Sequence, residues 1–185
     1  MKKILSVLFA LTISSATFAG SVTIEGSKIN TIGGNDAQRG SISLKEDINN
    51  TFSVHTQLSS TQSDNTNSVS TRFEVGATAT APLFGSVKGY TKVGLGEKYS
   101  AKGQFTYYSI EPGITVPLSS SLTARVAYRY RTALENTNAN NDTTQTVRVG
   151  VTYELNKKDA IGTRFDRIAG DTRQDLYALF YTRSF

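Results

Sequence analysis

Leu122-Thr123-Ala124-Arg125-Val126-Ala127-Tyr128-Arg129-Tyr130-Arg131-Thr132 alternates with a period of two. Leu122, Ala124, Val126, Tyr128 and Tyr130 fall on one side of an extended chain, and Thr123, Arg125, Ala127, Arg129 and Arg131 on the other. A helix would mix these two sets around its circumference. A strand separates them, because successive side chains point to opposite faces. The segment predicts a β-strand with one apolar face and one basic face.

The rhythm continues in both directions. Thr51–Ser59 sets Phe52, Val54, Thr56 and Leu58 against Ser53, His55 and Gln57, and Val69–Thr80 sets Val69, Phe73, Val75, Ala77 and Ala79 against Ser70, Arg72, Glu74, Gly76 and Thr78. Followed through the chain, it predicts ten strands, at roughly 20–32, 39–46, 51–59, 69–80, 86–95, 104–116, 122–132, 146–155, 160–168 and 174–185. Short connectors (46–50, 81–85, 117–121, 156–159) alternate with longer or more polar ones (33–38, 60–68, 96–103, 133–145, 169–173). That alternation predicts an antiparallel up-and-down meander with every short turn at one end.

Which way the apolar face points decides the architecture. A soluble barrel turns it inward, whereas a transmembrane barrel turns it to lipid and fills its interior with polar side chains. In the clearest strands the apolar face carries no charge. The opposite face collects Arg72, Lys88, Lys92, Arg125, Arg129, Arg131, Arg148 and Arg164 together with Glu74, Glu111, Glu154 and Asp166. This partition serves either architecture, and the chain ends distinguish them. Met1-Lys2-Lys3, the apolar run Ile4–Ile13 and the small-residue stretch Ala16–Ala19 read as a secretory signal cleaved after Ala19, leaving residues 20–185 as one barrel domain. The apolar run is too short to span a bilayer as a helix. At the other end, Tyr177, Leu179 and Tyr181 share a phase with the terminal Phe185. This resembles the signature by which Gram-negative outer-membrane barrels are recognised and inserted, although Arg183 replaces the usual hydrophobic residue. The expected fold is all-β: a transmembrane antiparallel up-and-down β-barrel of about ten strands, with eight or twelve as alternatives, exported through the periplasm to the bacterial outer membrane.

Composition agrees with this reading. The chain of 185 residues has no Cys, one His and no Trp. Disulfide scaffolds, thiolate metal sites and Cys nucleophiles are thereby excluded. A hydrophobic fraction of 38% suits a barrel in which only every second residue meets lipid. Removing the signal takes two lysines and no acid, lowering the formal charge from +5 to +3. The remaining basic residues point into the predicted lumen, so no nucleic-acid surface is expected. His55, with Ser53 and Gln57 on its face, reads as a hydrogen-bonded lumen residue rather than a general base. No enzyme, metal or cofactor is expected. Ser63–Asn67 and Asn136–Asp142 read as solvated external loops, whose Asn and Asp oxygens are an alternative set of cation ligands. Phe52, Phe84, Tyr153 and Phe185 lie towards the short-turn end, and Tyr108, Tyr128, Tyr130 and Tyr177 lie higher, as two interfacial girdles would.

Tyr107-Tyr108-Ser109-Ile110-Glu111-Pro112-Gly113-Ile114, followed by Pro117-Leu118, Leu122, Arg125 and Tyr128-Arg129-Tyr130-Arg131, resembles the small monomeric oligogalacturonate-type porins of Gram-negative bacteria. Members of that family have about twelve strands, against the ten traced here. The resemblance implies a narrow channel whose wall carries arginines facing acidic sugars. The expected function is passive diffusion of small, preferably anionic solutes through an Arg-lined lumen, acidic oligosaccharides among them. Outer-membrane lipid, lipopolysaccharide and the barrel-assembly machinery are the expected partners. The alternative is a closed barrel, its arginines paired with Glu74, Glu111, Glu154 and Asp166, acting through its loops. Gly, Ala and Thr on the outer face suit lipid and a partner subunit equally, so monomer and oligomer both stay open.

Overall fold

A computed structural model describes residues 20–66, 68–101, 103–135, 143–170 and 173–185. The predicted signal and the 136–142 segment lie outside the described residues. Ten antiparallel strands run β1 Gly20–Thr31, β2 Ala37–Asp47, β3 Phe52–Ser63, β4 Val69–Phe84, β5 Val87–Ser100, β6 Gly103–Pro117, β7 Leu122–Ala133, β8 Thr144–Glu154, β9 Asp159–Gly170 and β10 Gln174–Ser184. Each pairs with its sequence neighbours. β1 and β10 close the cylinder in a register running from Ser21↔Ser184 to Thr31↔Gln174. Closure leaves no sheet edge, which is the condition for a β-structure to cross a bilayer.

Three of the four short turns repeat one device. Asn49 Oδ1 accepts the Thr51 and Phe52 N–H groups, both at 2.8 Å. Asn156 Oδ1 does the same for Lys158 and Asp159, and Ser119 Oγ for Ser121 and Leu122. A short polar side chain thus satisfies the turn's backbone donors in each case. The fourth turn uses Gly85, whose φ of +53° is the left-handed region that side chains disfavour. Phe185 N–H donates to Gly20 C=O at 3.0 Å, placing both ends of the described chain beside these turns.

At the opposite end the predicted connector 96–103 is corrected: β5 continues to Ser100 and β6 begins at Gly103. The alternation persists there, but its outward members now include the polar Glu97 beside Leu95 and Tyr99. The strand therefore outlasts its apolar pattern. Outside, Tyr99 Oη and Gln104 Nε2 both donate to the Glu97 carboxylate and tie the hairpin together.

The burial pattern is inside out. Leu179 on the outer face is 65% exposed, while Glu74 and Asp166 inside are 2% and 1% exposed. Lipid is the solvent that makes this partition stable. Phe52, Phe84, Tyr153 and Phe185 are all exposed at the turn end, as a girdle requires. One part of the interior departs from the expected polarity. Ile29, Ala37, Leu176 and Ala178 form a buried apolar cluster with Ile168 packed against it, all pointing inward near the loop end. β10 is thus apolar on both faces.

Candidate functional site

A cavity of about 450 Å³ occupies the lumen. Its lining begins at turn-end residues such as Ser21, Lys45, Thr123 and Thr182, and extends to Arg39, Arg72, Tyr107 and Arg131. Among the described residues, nine basic side chains line it: Arg39, Lys45, Arg72, Lys92, Arg125, Arg129, Arg131, Arg148 and Arg164. Glu25, Glu74 and Glu111 face them, and Asp166 is buried in the same wall. Lys45 is paired at the rim with Asp47 of the same face, at 2.6 Å, so basic side chains outnumber the acidic ones nine to five.

The acids are held in two groups. Arg148 lies between two carboxylates, donating through Nε and Nη2 to Asp166 at 2.9 and 3.0 Å and through Nη1 to Glu111 at 2.7 Å. Arg164 approaches Asp166 at 3.1 Å and forks onto Glu25 at 2.6 and 2.9 Å. This chain of pairs runs from β1 through β9 and β8 to β6. The second group centres on Glu74 of β4, which accepts from Arg129 of β7 at 2.5 Å and from Ser109 of β6 at 3.4 Å. Lys92 and His55 approach the other Glu74 oxygen at 3.9 and 3.8 Å. The planar guanidinium fork suits such two-point contacts.

Backbone without side chains makes room for these groups. Tyr107 lies against Gly96, Tyr90 against Gly113 and Phe180 against Gly162, and at each glycine a Cβ atom would collide with the ring. Glu74 fits against Gly94 for the same reason.

The predicted residues take different roles. Arg129, Arg148, Arg164, Glu74, Glu111 and Asp166 come together as ion pairs. Lys92 joins Glu74, and Arg72 and Arg131 line the inner end of the cavity. Arg131 also stands over the Tyr107 ring, 5.3 Å from its centroid. Arg125 lines the cavity as expected; among the described residues it forms no carboxylate pair and lies over the Tyr90 ring at 4.8 Å, beside Gly113, where no side chain obstructs that ring. Two expectations are corrected. Lys88 and Glu154 are exposed near the turn end and do not line the cavity, since the strands there have reached the rim. Tyr177, Leu179 and Tyr181 point outward, with Phe185 at the same end as the turns.

Sequence reading missed Glu25, Arg39, Lys45, Tyr90 and Tyr107. The phase of Ser21-Thr23-Glu25 and of Arg39-Ser41-Ser43-Lys45 marks the first three as inward. Tyr90 and Tyr107 carry no such mark, because an aromatic residue suits either face.

The family model described as outer membrane protein beta-barrel domain matches residues 5–154. Among solved structures, an outer membrane channel from Pseudomonas putida F1 has a TM-score of 0.60 at 8% identity, over 92% of this chain and 97% of that one. The translocator domain of the autotransporter NalP from Neisseria meningitidis has a TM-score of 0.57 at 11% identity, over 98% and 93%. The KdgM porin, solved in complex with disordered oligogalacturonate, has a TM-score of 0.53 at 11% identity, over 89% and 99%. At these identities the likeness is one of fold. No curated protein matches the sequence.

Proposed function

Because this chain belongs to the outer membrane protein beta-barrel domain family, we propose that it is a narrow outer-membrane channel for passive diffusion of small, preferably anionic solutes. The observation that carries this reading is the charge of the lumen wall, nine basic side chains against five carboxylates once Asp47, the partner of Lys45, is included. In a low-dielectric wall such an excess concentrates anions and repels cations. A similar solute class is suggested by the oligogalacturonate in the KdgM complex, so acidic oligosaccharides are candidate solutes. The wall-to-wall pairs around Glu74 and Arg148 keep the path narrow and set a low conductance. The signal at residues 1–19, lipid and lipopolysaccharide on the outer face, and recognition of Tyr177, Leu179, Tyr181 and Phe185 by the assembly machinery belong to the same proposal. Uptake into proteoliposomes tests it. Glucuronate entering faster than glucose supports the reading, and equal or slower entry refutes it.

A closed barrel acting through its loops is favoured by a different observation. The cavity lining stops at the level of Arg39, Arg72 and Arg131, and beyond it Ile29 and Leu176 are 1% and 0% exposed. On that reading neither sugar enters.

A further inference from the structure

The wall between β6 and β7 differs from every other seam of the barrel. Pro112 is one of three prolines in the chain; Pro82 lies beside the β4–β5 turn and Pro117 ends β6, so Pro112 alone sits in mid-strand. The β6–β7 ladder runs from Tyr107↔Ala133 to Ile110↔Tyr130 and resumes at Gly113↔Ala127, omitting Glu111, Pro112, Tyr128 and Arg129. Proline has no N–H, so the Tyr128 carbonyl facing it receives no hydrogen bond from it. Among the described residues the only other interruption is the irregularity at Leu83, next to a turn. In a bilayer an unpaired backbone carbonyl has no water to turn to, and a strand proline at such depth is a cost that calls for a role.

A shallow groove of about 740 Å³ runs across the lipid-facing surface from β4 to β8 and crosses this seam. Ala79, Gly89 and Thr91 leave it recessed, and Pro112, Ile114 and Val126 give it an apolar floor. Three residues of the inward phase, Thr80, Tyr90 and Ala127, also line it. Tyr90 lines the lumen cavity as well, and its ring packs against the inner side of the side-chain-free Gly113, one residue along β6 from Pro112. The ring is held by two polar contacts. Its hydroxyl donates to Glu111 at 3.3 Å, and Arg125 lies over its face at 4.8 Å.

We propose that the β6–β7 seam at Pro112 is a lateral portal through which an amphiphile with an acidic headgroup and an acyl chain passes between membrane and lumen. Its acyl chain occupies the outer groove. Its headgroup meets Arg125, which holds no carboxylate in an ion pair. Transfer of Arg125 from the Tyr90 ring to that anion removes one of the two polar contacts holding the ring beside the seam. Charge complementarity selects this occupant over a zwitterionic lipid, whose headgroup carries its own cation. The inference does not depend on ion flow along the barrel axis.

The test uses the full chain in phosphatidylcholine liposomes with doxyl-stearate as the probe and doxyl-phosphatidylcholine as its control, reading the motionally restricted fraction by electron paramagnetic resonance. The wild-type protein is expected to restrict stearate at least threefold more than phosphatidylcholine. Pro112→Val, which returns the missing N–H, is expected to abolish the excess while leaving axial conductance unchanged. Arg125→Gln is expected to abolish it, and Arg125→Lys to keep most of it. Each variant is first confirmed as folded by its heat-modifiable mobility in gels. Equal restriction of both probes by the wild type overturns the proposal, as does an excess that survives Pro112→Val in a folded barrel. A portal without a channel would show the stearate excess with no axial current.

Discussion

Replacing Arg148 with Met tests whether the mid-lumen pairs hold the barrel together. Arg148 makes two contacts with Asp166 and one with Glu111, whose side chains are almost fully buried. Met keeps much of the volume and removes the charge. Asp166 then retains Arg164 at 3.1 Å, and Glu111 retains the Tyr90 hydroxyl at 3.3 Å. Breaking a buried pair by removing one partner costs about 3–5 kcal/mol, mainly because the other charge is left buried. With part of each carboxylate's support intact, the lower end, about 3 kcal/mol, is expected. For a urea dependence of about 2 kcal/mol per molar, the unfolding midpoint should fall by about 1.5 M. The measurement is urea unfolding in lipid vesicles, followed by far-ultraviolet circular dichroism. Adding Glu111→Gln and Asp166→Asn to Arg148→Met should recover most of the loss, since the stranded charges are then gone. A midpoint within about 0.3 M of wild type for the single variant would refute the reasoning and mean that water already solvates both carboxylates.

Three other outcomes follow from the same geometry. Glu74→Gln removes the acid shared by Arg129, Lys92 and His55, so anion preference in a salt gradient should rise; an unchanged or reduced preference counts against an electropositive lumen. Gly162→Val forces a side chain into the space of the Phe180 ring, and overpacking of this kind costs about 1–3 kcal/mol, measurable as a lower urea midpoint in vesicles. Deleting Phe185 should slow assembly in cells while leaving detergent refolding intact; normal surface levels would show that the terminal aromatic is not read during insertion.

The strands were legible because one residue in two must face lipid, and that constraint writes a period directly into the sequence. β7 shows it most clearly, with Arg125, Arg129 and Arg131 all on the inner face as its alternation requires. The inner face of the other strands was legible as a list of charges, but not as a set of partners. Glu25 and Arg164 are separated by the whole of β10 around the wall and by 139 positions in sequence. Their meeting depends on barrel closure and register. Arg125 was placed inward correctly by its phase, but its contact is the Tyr90 ring beside Gly113, which the alternation could not name. Lys88 and Glu154 kept the alternation yet lie where the strands emerge at the rim. The apolar cluster of Ile29, Leu176 and Ile168 was hidden because β10 is apolar on both faces, and such a strand has no alternation to read. The predicted strand 104–116 ran through Pro112, as β6 does, but the alternation gave no sign that the proline interrupts one seam.

The central claim is that the lumen conducts and prefers anions. Purified, refolded protein in a planar bilayer with a tenfold potassium chloride gradient tests it directly. Discrete current steps, with a reversal potential displaced towards the chloride equilibrium potential, are predicted. A bilayer that stays at leak, or a reversal potential displaced towards that of potassium, would contradict it.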